Sequence, residues 1–237
     1  MKKTKPIMKL NDNQSISDWI ITEFPESYQN MIYVDVLCGD LNILISKERS
    51  KLEILNDTHE GIIQIYRAIR DEANDFCKKV SGIRCTENNF QKHLENQTNK
   101  FDDYIDKAVN EFILRKMSKG ENKKIFSNKK IEWKKVLFEI NELSKRLQES
   151  FVMNKDPLDL IQKFNHNDTL LYFSLPTNFK DSYYTKLSNI LKNFSGKAII
   201  SCHEQKIYKQ LFQTWKLKRK IFNKLNNKKI LYIWKNF

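Results

Sequence analysis

The chain predicts an α/β protein: a mostly parallel sheet interrupted by an inserted helical lobe. Two observations carry this. Residues 31–72 read strand, turn, short helix, strand, helix, and after residue 147 short apolar runs again alternate with helical patterns; strands alternating with helices imply parallel pairing. Between them, residues 71–146 carry apolar residues at helical intervals only, among them Phe90, Leu94, Phe101, Tyr104, Ile105, Val109, Phe112 and Ile113. The predicted division is therefore 1–70 and 147–237 for the sheet domain and 71–146 for the lobe. A chain of 237 residues is long enough to bury a core of that size.

In order, Ser15–Phe24 is a helix with Ser15 as cap and Ile16, Trp19 and Ile20 as its apolar face. Ile32–Leu37 is a buried strand and Cys38-Gly39-Asp40 a turn. Leu52–Leu55 is a second strand, closed by Asn56-Asp57. Ile62, Ile63, Ile65, Tyr66 and Ile69 then form one side of a helix. Beyond the lobe and a helix from Trp133 to Gln148, strands are expected at 150–153, 169–173 and 198–201, with helices at 157–164, 183–193 and 204–215 between and after them. The runs 220–223 and 229–234 end the chain.

The composition restricts function. The formal charge is +13, which implies an anionic partner, and nucleic acid is the default for such a chain. No apolar run approaches the roughly 20 residues of a membrane helix, and no signal-peptide core follows the basic start; a cytoplasmic protein with no membrane attachment is expected. Cys38, Cys77, Cys85 and Cys202 show no zinc-ligand spacing, so no metal is expected. His59, His93, His166 and His203 are scattered, without a Ser-His-Asp or Cys-His arrangement.

Asp57 stands at the tip of the second strand, about twenty residues past the first turn, where nucleotide-binding open sheets hold a ribose. Glu53-Ile-Leu-Asn56-Asp57, followed by Tyr66-Arg67-Ala-Ile-Arg70-Asp71, resembles the start of the Dam-like DNA adenine-N6 methyltransferases, class I S-adenosylmethionine (SAM) enzymes. The resemblance covers most of residues 5–237. It implies the class I methyltransferase (Rossmann-like) sheet, closed by an antiparallel hairpin, and a DNA-recognition role for the helical lobe. Phe112-Ile-Leu-Arg115-Lys116-Met117-Ser118-Lys119-Gly120 is similar to a family segment at the DNA-facing edge.

Three elements of the family pattern are altered. Lys5-Pro6 leads not into Gly-Gly-Lys but into Asp12-Asn13-Gln14, and the loop after the first strand keeps one glycine, with Asp40 and Leu41 in place of small residues. At the end of the catalytic strand, Ser174-Leu175-Pro176-Thr177 stands where the family has Asp-Pro-Pro-Tyr. Amino methylation needs an acceptor for the adenine nitrogen and a ring for the flipped base to stack on; Ser174 lacks the carboxylate and Thr177 lacks the ring. Asp57 is thus a residual cofactor residue, also suited to a turn or cap.

Between Arg115 and Lys135 nine bases face two acids, with Phe126 and Trp133 among them. Arg115, Lys116, Lys119, Lys123, Lys124, Lys129 and Lys130 are the candidate DNA contacts, suited to a loop that follows phosphates; a solvated loop with Trp133 anchoring the next helix is the plainer alternative. From Lys206 to Phe237 there are ten bases and no acid, a face suited to phosphates or to an acidic partner. Three functions remain open. The first is a catalytically inactive subunit that binds double-stranded DNA, holds no SAM itself and pairs with an active, SAM-binding adenine methyltransferase paralogue. The others are an active enzyme with divergent motifs and a stand-alone DNA-binding protein.

Overall fold

The computed structural model describes residues 14–98, 101, 103–120, 123–177, 179–203, 206–224 and 227–237. Seven strands form one sheet: β1 (Ile32–Asp35), β2 (Leu52–Asn56), β3 (Ser150–Met153), β4 (Thr169–Ser174), β5 (Lys197–Cys202), β6 (Lys216–Lys224) and β7 (Asn227–Lys235). Their order is β3-β2-β1-β4-β5-β7-β6. β1 lies parallel to both β2 and β4, β4 parallel to β5, and β7 antiparallel to both β5 and β6. An antiparallel last strand inserted beside β5 in an otherwise parallel sheet is the class I methyltransferase arrangement expected from the sequence.

The described residues divide into two compact units, a sheet unit within 14–38, 46–58 and 153–237 and a helical unit within 39–45 and 59–152. In the sheet unit, Val34, Val36, Ile54, Leu171 and Phe173 project from the strands onto α8 (Pro157–Lys163), α9 (Asp181–Lys192) and α10 (Lys206–Leu211) through Leu160, Ile161, Leu187, Leu191 and Tyr208. β4 is buried along five of its six residues, as expected for a parallel strand covered on both faces. α1 (Gln14–Thr22) also belongs to this unit.

Lys47 and Glu53 are among the charged groups buried there. Lys47 is wholly buried against Glu53, itself 3% exposed. The Lys47 ammonium also donates to Glu48 O and Ser50 Oγ, both at 3.0 Å, and lies 4.4 Å from the Tyr33 ring centroid. Tyr33 Oη in turn donates to Asp35 at 2.9 Å. A buried charge survives only when it is paired and hydrogen-bonded, and this pair is both.

Two stability predictions arise here. Glu23 is buried and accepts from Lys218 and Lys235, each at 2.9 Å. Burial pushes its carboxyl up, but the two lysines more than reverse this and hold it below the ordinary 4.5. A depressed carboxyl stabilises the fold above its unfolded pKa and loses that contribution as pH falls through the folded value. Acid unfolding of Glu23→Gln is therefore expected to show a shallower loss of stability below about pH 4.5 than the parent chain, read by fluorescence-monitored urea melts. At Gly196, an added Cβ would stand 2.6 Å from the carbonyl oxygens of His166 and Thr169. Gly196→Ala is expected to lower stability by about 1–3 kcal/mol in the same melts.

The helical unit packs α3 (Glu60–Asp71) against α6 (Tyr104–Met117) and α7 (Trp133–Leu147), with α4 (Ala73–Ser81) against the same two and α5 (Glu87–Glu95) against α6. α3, placed with the sheet domain in the sequence-based division, groups with this unit because Ile63, Ile65, Ala68 and Ile69 are all fully buried along it. The Phe76 and Phe112 rings meet edge to face at 5.4 Å. A short helix, α2 (Asn42–Ser46), follows the turn after β1. Among the described residues no helix is long and apolar enough to cross a membrane, and no cluster of His, Cys, Asp and Glu could hold a metal ion.

Candidate functional site

Parallel strands leave their C-terminal ends on one edge of the sheet, where open α/β folds place ligands. In the sheet unit, that edge carries Asn56 and Asp57 at the end of β2, Ser174–Thr177 at the end of β4 and Cys202-His203 at the end of β5. Asn56 is fully buried. Its Nδ2 donates to Val36 O at 3.0 Å and Lys155 O at 3.1 Å, while its Oδ1 accepts from Lys155 N at 2.8 Å. Cys38 N donates to Asn56 O at 2.7 Å. Asp57 is 7% exposed, and its carbonyl accepts from Asn154 Nδ2 at 2.7 Å. The Asn-Asp pair is thus part of a hydrogen-bonded staple that ties the ends of β1 and β2 to the segment after β3.

At the end of β4, Ser174 is exposed and Leu175 buried, the Leu175 amide donating to Ser201 O at 2.8 Å. The Pro176 carbonyl accepts from Tyr184 Oη at 2.7 Å and from Tyr208 Oη at 3.3 Å. Burial and then the neighbouring Tyr184 push the Tyr208 hydroxyl far above its usual range, so it stays a donor. Tyr184 Oη also accepts from Phe179 N at 3.2 Å, which fixes the loop after the motif. Thr177 is exposed and brings no ring. Rings do lie close by: Phe179 and Tyr183 touch with centroids 4.3 Å apart and planes tilted by 43°, and the buried Tyr183 hydroxyl has no partner among the described residues.

The two tyrosines that clamp Pro176 were not singled out from sequence. Tyr184 lies 8 residues and Tyr208 32 residues from Pro176, and each reads simply as a core position of a helix. Cys202, next to His203, is buried, and that burial, only partly opposed by Trp234, pushes its thiol up to about 12.

The loop after β1 belongs to the helical unit from Gly39 onward. Gly39 has φ +50° and Leu41 φ +60°. The left-handed region is easy for glycine and costs a branched residue about 1–2 kcal/mol. Leu41 is 1% exposed, so burial of its side chain offsets that strain. Tyr66 Oη donates to Gly39 O at 2.5 Å. Burial raises the Asp40 carboxyl above 3.8 in spite of hydrogen bonds from Asn42, whose amide lies 3.4 Å from Asp40 Oδ1. Asp12 and Asn13 lie outside the described residues, and Gln14 is described only as the first residue of α1.

The basic segment of the helical unit is more ordered than a loop. Ser118 bridges Phe126 in antiparallel fashion, with Lys119 N donating to Ile125 O at 2.7 Å and Ser127 N to Met117 O at 2.6 Å. A small hairpin results, with Gly120 at φ +84° and Lys123 at φ +55° in its tip. The seven candidate cations divide. Arg115 Nε and Lys123 Nζ both lie 2.7 Å from Glu111 Oε1, and a terminal nitrogen of Arg115 is 3.1 Å from His59 Nε2. Burial lowers the Lys116 ammonium pKa, and its Nζ sits 5.6 Å from the Phe112 centroid. Lys119, Lys124, Lys129 and Lys130 are exposed and form no ion pair among the described residues. Ile125, beside them, is 58% exposed. Phe126 packs on Phe90 at 5.7 Å, and Trp133 is half-buried. A groove of about 550 Å³ runs past Gly82, Arg84, Cys85, Lys129, Lys130 and Trp133.

No family profile and no curated protein sequence matches the chain. Among solved structures, one similar fold is precorrin 8W decarboxylase, the product of gene MT0146 of Methanobacterium thermoautotrophicum, at 11% identity and TM-score 0.45 over 98% of this chain and 94% of that one. Another is SMU.472, described as a candidate methyltransferase complexed with SAH, at 12% identity and TM-score 0.44 over 98% of this chain. The chain spans about half of that second protein, 53% of its length.

Proposed function

We propose that this chain is a Dam-like methyltransferase-fold subunit that has lost methyl transfer, binds double-stranded DNA through its helical unit and supports an active adenine-N6 methyltransferase partner, which brings SAM and the chemistry. The observation that carries the reading is the Pro176 carbonyl, held by Tyr184 and Tyr208 in a motif that offers no carboxylate and no stacking ring. A carbonyl with both lone-pair directions engaged is a poor acceptor for an adenine amino group. The residues do not fit SAM either. A half-buried Asp40 and a buried Leu41 occupy the loop where small residues would let backbone approach the cofactor, and Asp57 is enclosed beside a structural staple.

For DNA, the support is four exposed lysines on and beside one hairpin, without ion pairs among the described residues, the pattern of phosphate contact rather than base reading. Titration calorimetry tests the first half. The full chain is expected to show no heat of SAM binding at millimolar ligand, and saturation in the low micromolar range would overturn the reading. Duplex DNA of unrelated sequences is expected to bind with similar affinity at a given salt concentration, as phosphate-type contacts require.

A further inference from the structure

β6 is the outer strand of the sheet, nine residues long, and carries five bases and no acid. Its only backbone partner among the described residues is β7, so its outward row of N–H and C=O groups pairs with no described strand. The two faces of the strand differ. On one, Phe222 meets Trp19 at 5.7 Å, Lys220 sits 5.8 Å above the Trp19 ring, and Lys218 pairs with Glu23. On the other, Leu217 and Ile221 are 43% and 45% exposed with the exposed Arg219 between them. Register sets Leu217, Ile221 and Arg219 beside Trp234, Ile230 and Tyr232 of β7, in that order, so the apolar stripe continues core residues out to the sheet margin.

Edge strands that guard against pairing break up such a stripe or shorten the strand. This one keeps its length and its open apolar positions. A second copy of β6 is a poor occupant, since five bases would face five bases across one ladder. DNA would use the cations but not Leu217 and Ile221.

We propose that the β6 edge receives an extended acidic segment of another protein as an eighth strand, with an apolar–any–acidic–any–apolar pattern that sets its acid opposite Arg219 and its apolar residues beside Leu217 and Ile221. Backbone pairing gives affinity and the alternating side chains give selectivity, as in other strand additions. The proposal stands apart from the reading of the cofactor and DNA sites.

The test is fluorescence anisotropy of the full chain with labelled peptides. The probe is Glu-Ile-Thr-Glu-Thr-Ile-Glu; the controls are a scrambled order and a version with proline at both threonines, which keeps the pattern and removes backbone donors. Saturable binding of the probe alone is expected. Arg219→Ala weakens it about fivefold, and Leu217→Lys with Ile221→Lys about tenfold or more. Circular dichroism of these surface variants checks that they remain folded. Equal binding of all three peptides would reduce the effect to charge attraction and overturn the proposal, as would no binding of the probe. A short DNA duplex that displaces the probe and binds the lysine double variant more tightly would assign the edge to phosphates, which also overturns it.

Discussion

Lys47→Met is expected to lower folding stability by about 3–5 kcal/mol, because it leaves Glu53 charged, buried and without its counterion. Both side chains are almost wholly inaccessible, and the ammonium also anchors Glu48 O and Ser50 Oγ, so no water can take over its place. The loss does not measure what the pair contributes net, since a buried ion pair roughly offsets its own desolvation. Accordingly, Lys47→Met combined with Glu53→Leu is expected to recover most of the stability. Urea melts of the parent, the single and the double variant check both. A single variant within about 1 kcal/mol of the parent, the size of an exposed pair, would mean the pair is hydrated in solution.

Replacing Lys119, Lys124, Lys129 and Lys130 together by alanine is expected to reduce the slope of log K against log salt for duplex DNA by about 3–4, at roughly 0.9 for each phosphate that is no longer neutralised. All four are exposed and without ion pairs among the described residues. Lys123→Ala is expected to leave the slope nearly unchanged, because both Glu111 oxygens hold its ammonium at 2.7 and 2.8 Å. Filter binding at several salt concentrations measures both slopes. An unchanged slope in the quadruple variant would move the DNA surface elsewhere.

The sheet was legible because its strands are short apolar runs between turn residues: Ser150–Met153 lies where the sequence places it, and β4 runs one residue past the expected end. The closing hairpin was legible in kind but is longer than read, since the lysines of β6 alternate with Leu217 and Ile221 and mask the strand's start. The hairpin at Ser118 and Phe126 was read only as a basic loop, because one bridged pair and a left-handed tip leave no periodicity. The division of the cations was partly readable. Arg115 stands four residues after Glu111 on α6, a spacing that predicts a pair, whereas Lys123 reaches the same carboxylate only through the hairpin's turn. The Tyr184 and Tyr208 clamp on Pro176 is a tertiary arrangement with no local signal. Asn56 was read as closing the second strand, and its four hydrogen bonds to Val36 and Cys38 after β1 and to Lys155 after β3 appear only once the strands are side by side.

Transfer of a labelled methyl group from SAM to adenine-containing duplex DNA is the most direct test of the central claim. The unmodified chain alone is expected to incorporate none above the protein-free level. Introducing Ser174→Asp, Leu175→Pro and Thr177→Tyr is expected to leave it inactive, because Asp40 and Leu41 still occupy the loop after β1 in place of small residues. Incorporation by the unmodified chain that disappears in Ser174→Ala would show a working, divergent methyltransferase and contradict the account.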